Sequence, residues 1–167
     1  MLIGDYFKKI NLKNKRHYFS GLSFNSQKCK RNNIFFAIKG NEIDGNKFID
    51  QAIKNGAKTI ISNQKFEGIK KDILYVKSKN LRKSLSETAY RVFHDRPNNL
   101  IAVTGTNGKS SIADFYFQIL RLNKKKVASI GTLGIQTESY KKKSIKYYAR
   151  PINIKLLFEK TKKRKNK

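Results

Sequence analysis

An apolar run at residues 100–103 meets a helical pattern that starts at Lys109, and the loop between them reads Thr-Gly-Thr-Asn-Gly. No other stretch limits the fold as much. Strand residues followed at once by two glycines and a helix pattern demand a tight βα turn. Gly105 and Gly108 admit positive φ and close backbone approach, so successive N–H groups can face one anion. A helix opening near Lys109 points the positive end of its dipole at the same place. Lys109 then reaches the outer phosphates of a nucleotide, and the hydroxyl of Ser110 is suited to Mg2+. The strict pattern G-x-x-x-x-G-K-[ST] fails by one position, since Val103 stands where its first glycine belongs.

At 167 residues the chain has room for one domain, or for a small domain and part of another. Its formal charge of +27 raises the question of a polyanionic partner. Lysine outnumbers arginine 30 to 8, and the lysines are spread through every segment without interleaved aromatics. That is the mark of an A- and T-rich coding sequence, so no specific nucleic-acid partner is expected. Cys29 stands alone, which excludes an intramolecular disulfide and a zinc site of its own. His17 and His94 show no ligand spacing and read as surface or partly packed imidazoles. The N-terminus lacks a signal-peptide core, and no apolar run approaches the roughly 20 residues of a membrane span. A soluble, cytoplasmic protein without membrane insertion is expected.

Along the chain, residues 3–10 suggest a short amphipathic helix and residues 34–38 a buried strand. Phe48, Ile49, Ala52 and Ile53 recur at helical spacing, with Gly56 where a C-cap belongs and a strand at 58–63. A further strand is expected at 72–78. Leu81, Leu85, Ala89, Val92 and Phe93 share one helix face, closed by Pro97. The fold class is therefore α/β. Residues 1–96 form a small α/β domain, and 97–167 begin a second, phosphate-loop domain. Its strand, loop, helix and strand make a first βαβ unit with two parallel strands. From about residue 141 the chain turns basic and divergent, with 12 Lys or Arg in its last 27 residues, and the ending reads as a truncation.

The variant loop Thr-Gly-Thr-Asn-Gly-Lys-Ser resembles the ATP loop of the Mur ligases and their folylpolyglutamate synthase relatives. Upstream, "GLSFNSQKCKRNNIFFAIKGNEIDGNKFIDQAIKNGAKTIIS" is similar to the N-terminal domain of that family, and "GTLG" at 131–134 is similar to its MurE branch. The resemblance covers about residues 20–135. It implies a uridine-nucleotide-binding N-terminal domain and an incomplete central ATP-binding domain. It also implies ATP-dependent addition of a diamino acid, meso-diaminopimelate or L-lysine, to UDP-N-acetylmuramoyl-L-alanyl-D-glutamate in cytoplasmic peptidoglycan synthesis.

Carried over residue by residue, the ATP loop falls on Gly105, Thr106, Asn107, Gly108, Lys109, Ser110 and Ser111, with Ser110 toward Mg2+. The uridine contacts fall on Phe24, Ser26, Asn41, Glu42 and Ile43. Asn25 and Gln27 stand where the family commonly has aspartate and arginine. Near Pro151, residues Tyr148, Ala149 and Arg150 replace a polar substrate-holding triplet. The family's later catalytic residues lie beyond the end, so no turnover by this chain alone is expected; a monomer is expected if it folds. The alternatives are a basic nucleic-acid-binding module centred on 141–167, or a non-functional remnant.

Overall fold

The structure is a computed structural model and describes residues 1–7, 10–40, 43–94, 97–132, 134–137 and 140–142. It divides into two compact units, Met1–His94 and Asp95–Lys167. The basic tail from residue 143, with Tyr148, Ala149, Arg150 and Pro151, lies outside the described residues.

In the first unit the strands are β1 (Gly21–Ser23), β2 (Asn33–Phe36), β3 (Ala57–Ser62), β4 (Gly68–Lys70) and β5 (Ile73–Lys77). The helices are α1 (Ile49–Lys54) and α2 (Leu81–Val92). The sheet runs in the order β1-β2-β3-β5-β4, parallel throughout except for β4, which lies antiparallel on β5. Alternation along the strands sorts the core into two layers. Phe35, Ala37, Ile60 and Ile73 join Ile49 and Ala52 of α1 in one cluster. Ile34, Phe36 and Ile61 point to the other face and are equally buried. A parallel sheet covered on both faces explains why these strands are apolar runs and not alternating ones.

Local chemistry sets the helix ends. Asp44 accepts the Asn46 N–H at 2.9 Å and opens a 3-10 turn, Gly45–Phe48, that leads into α1. Asn55 and Gly56, with φ +99°, close it. Asn80 caps α2 by accepting the Lys83 N–H at 3.0 Å. Leu81, Leu85, Thr88 and Ala89 are its buried face. At its last turn Arg91 donates to the Tyr6 carbonyl at 3.0 Å, and Tyr6 packs edge-on against Phe19.

Three expectations for this unit change. Of the helix expected at 3–10, the described residues show a 3-10 turn, Ile3–Asp5, with the Ile3 and Gly4 N–H groups bonded to the carbonyls of His17 and Lys15; residues 8 and 9 lie outside the described residues. Strand β1 was not foreseen. Strand β4 was missed as well, and it exists because Lys71 and Asp72 both take positive φ, 49° and 59°. That gives the two-residue turn whose twist matches a hairpin. His17 is partly packed as expected. Its Nε2 sits 3.1 Å from the Lys58 carbonyl oxygen, and burial pushes its pKa down.

Thr59 on β3 is fully buried, and its hydroxyl finds no hydrogen-bond partner among the described residues. Thr59→Val keeps the branched shape and removes the stranded hydroxyl, so stability should rise by about 1 kcal/mol. Urea unfolding followed by circular dichroism measures this; a lower midpoint for the variant would show that the hydroxyl is satisfied.

The second unit holds α3 (Lys109–Leu122) and an antiparallel sheet of β6 (Ala128–Gly131), β7 (Gly134–Thr137) and β8 (Tyr140–Lys142), in that order. The α/β class stands, and α3 starts where its sequence places it. The pairing differs from the expected parallel βαβ. Residues 100–104 form no strand, and Leu100 is 80 % exposed. β6 pairs with β7 because the chain reverses within two residues between Gly131 and Gly134, the latter at φ +105°. Closing so short a loop costs far less chain entropy than reaching back across α3. On α3, Phe117 is buried while Phe115, Ile119 and Leu122 remain exposed.

Candidate functional site

The loop after residue 103 is built by two glycines held in backbone conformations that other residues rarely adopt. Gly105 has φ +147° and Gly108 has φ +73°. At Gly108 a Cβ would meet nothing within 4 Å, so it is the backbone conformation and not crowding that calls for glycine there. Gly108 is also the N-cap of α3 and offers no side chain to the first-turn N–H groups. Those donors and the positive end of the helix dipole are therefore left for something else.

Lys109 folds back over its own loop. Its ammonium donates to the carbonyl oxygens of Gly105 and Thr106, the latter at 2.7 Å. Two carbonyl bonds leave one N–H of the ammonium unspent. Thr106, Asn107, Ser110 and Ser111 are exposed around it. Ser110 Oγ lies 2.9 Å from Thr132 Oγ1, a contact between the first turn of α3 and the residue after β6. Thr132, inside the segment 131–134, has no role assigned from the sequence alone. A hydroxyl at the C-terminal end of a strand that follows a phosphate loop was the available signal.

The second group of candidates belongs to the first unit. Ser26 is 6 % exposed and opens a 3-10 turn, Ser26–Lys28. Its hydroxyl donates to Gln51 Oε1 at 2.6 Å, and its carbonyl accepts from Asn55 Nδ2 at 2.9 Å. Ser26 thus ties that turn to α1 whatever else it does. Asn25 caps the turn by accepting the Gln27 N–H at 2.9 Å. An aspartate could serve in the same way, so the departure at this position preserves the cap. Phe24 is half-buried, and Ile43 is 56 % exposed, with its carbonyl accepting the Gly40 N–H at 2.8 Å. Asn41 and Glu42 lie outside the described residues. A separate hollow of about 580 Å³ is lined by residues including Asn11, Asn14, Glu67 and Tyr75, none of them foreseen as candidates.

Cys29 is buried, and burial pushes its thiol pKa up, away from nucleophilic use. Among the described residues no three His, Cys, Asp or Glu side chains gather into a metal-holding group, and no helix is long and apolar enough to cross a membrane.

Residues 18–98 match the family described as "Mur ligase family, catalytic domain". That segment, just under half of the chain, is similar to Mur ligase sequence. The chain is 43 % identical over 122 residues to the UDP-N-acetylmuramoyl-L-alanyl-D-glutamate--2,6-diaminopimelate ligase of Rickettsia prowazekii. The match takes in 73 % of this chain and 25 % of that Mur ligase. The ligase of the same name from Rickettsia typhi is 42 % identical over 73 % of this chain and 24 % of its own length. The chain thus spans about a quarter of the curated relatives it matches. A solved structure of a ligase with that name aligns over 93 % of this chain and 32 % of its own length, with a TM-score of 0.74. At 22 % identity that likeness is one of fold.

Proposed function

We propose that this chain is the nucleotide-binding portion of a Mur ligase that adds a diamino acid to UDP-N-acetylmuramoyl-L-alanyl-D-glutamate. The observation that carries the reading is the 105–111 loop, whose two positive-φ glycines wrap it around the Lys109 ammonium at the uncapped start of α3. In this reading Gly105, Thr106, Asn107, Gly108 and Ser111 supply loop groups to ATP. Lys109 neutralises its outer phosphates, and the Ser110 hydroxyl serves Mg2+. The donor set fits that cation, which favours hydroxyl and phosphate oxygens. ATP with Mg2+ would supply the phosphoryl group that activates a carboxylate toward an amine. The chain's own part is to hold that group and to offset charge as an anionic oxygen nears it.

The first unit takes the uridine nucleotide in the same reading, with Phe24, Ser26, Asn41, Glu42 and Ile43 as contacts. Relatives with the 2,6-diaminopimelate name support that diamino acid over lysine. The chain works in the cytoplasm as a monomer, and the rest of the catalytic set comes from sequence of the kind that makes up the other three-quarters of its relatives.

The test is equilibrium binding of a fluorescent ATP analogue to the whole chain in Mg2+. Saturable binding displaced by ATP but not by AMP is expected, because AMP lacks the outer phosphates that Lys109 meets. No saturable binding, or equal displacement by AMP, would overturn the reading.

A further inference from the structure

We infer that Thr132 is a positioning residue for the metal-facing hydroxyl of Ser110; the inference rests on the nucleotide reading of the loop. The two hydroxyl oxygens lie 2.9 Å apart, and either can donate to the other. One direction suits a cation ligand better, because it leaves both lone pairs of Ser110 for the ion. An oxygen that lends a lone pair to a metal must aim its proton elsewhere, and that proton needs an acceptor. Thr132 Oγ1 is placed to take it. With the Ser110 proton held there, the remaining lone pairs of Ser110 are turned outward.

The surroundings agree with this role. Ser110 and Thr132 are both exposed, so a hydrated ion can reach them. A Cβ added at neighbouring Gly131 would meet nothing within 4 Å, which leaves that side of the pair open. The first turn of α3 contains no acidic residue. A divalent cation beside Ser110 therefore has its charge matched by the nucleotide's phosphates and not by the first turn. Thr132 should then act only on the Mg2+-dependent part of nucleotide binding. The short hairpin loop fixes its position, because the chain pairs Gly131 with Gly134 around it.

The experiment measures the dissociation constant of a fluorescent ATP analogue for the whole chain, once in Mg2+ and once in EDTA. Thr132→Val removes the acceptor and keeps the shape; Thr132→Ser restores it. Binding of the valine variant should weaken three- to tenfold in Mg2+ and stay unchanged in EDTA, with the serine variant close to the parent. Unchanged binding in Mg2+, or equal loss in both conditions, would overturn the inference. A parent chain that binds the analogue equally well with and without Mg2+ would overturn the metal role of Ser110, and this inference with it, before any variant is made. A parent chain that does not bind at all would overturn the nucleotide reading instead.

Discussion

Lys109→Ala is expected to weaken ATP binding by ten- to a hundredfold while leaving the fold intact. The ammonium is the one cation that the loop itself wraps, through the carbonyls of Gly105 and Thr106. A charge-assisted hydrogen bond to phosphate contributes about 1.5–3 kcal/mol, and each 1.4 kcal/mol is a factor of ten in affinity. The two carbonyls released by the substitution lie in an exposed loop, where water satisfies them, so the structural cost is small. Lys109→Gln provides the control, since it keeps length and polarity but not charge. Fluorescence anisotropy with the ATP analogue reads the affinity, and far-UV circular dichroism reads the fold. Two variants that bind within twofold of the parent would remove Lys109 from the phosphate site.

Gly45→Ala should destabilise the first unit by about 3 kcal/mol, near the upper end of what overpacking costs. The reason lies in backbone and not in side chains. A Cβ at this position would stand 2.5 Å from the Ile38 carbonyl oxygen and 2.7 Å from both the Ala37 carbonyl carbon and the Ile38 nitrogen. None of these atoms can swing aside as a flexible side chain would. Relief requires the 3-10 turn before α1 to move off the end of β2, which disturbs the cluster of Phe35, Ala37, Ile49 and Ala52. Chemical denaturation of the parent and variant measures the difference. A loss below about 0.5 kcal/mol would mean that the turn can be displaced without disturbing that core.

Much of the first unit was legible because its signals are local. The apolar runs of β2, β3 and β5 and the spacing of Leu81, Leu85 and Ala89 on α2 name their elements directly. Gly56 marks the end of α1 in the same way. β4 was not legible, since its turn is made by Lys71 and Asp72, residues that rarely take positive φ in succession. At the N-terminus the turn is tied by bonds that no local pattern announces, from Ile3 and Gly4 N–H to the carbonyls of His17 and Lys15. In the second unit the order of strand and helix patterns suggested a parallel pair. The pairing was decided instead by the reversal at Gly134, at φ +105°, which turns β6 straight into β7. The turn at 105–108 was legible, because Gly105 and Gly108 both take the positive φ that a tight turn before a helix calls for. Thr132 was not, since its relation to Ser110 exists only once the hairpin has brought a residue 22 positions away to the first turn of α3.

The two carbonyl bonds that fasten Lys109 have an entropic consequence. A free lysine side chain gives up as much as about 2 kcal/mol of rotamer freedom when it is fixed in place. Here much of that freedom is surrendered when the loop folds, so on the proposed reading an arriving phosphate would meet an ammonium already confined. Residues 99–122 cut out as a free peptide would lose this advantage together with the loop that confers it, although every group proposed to meet the phosphate would still be present.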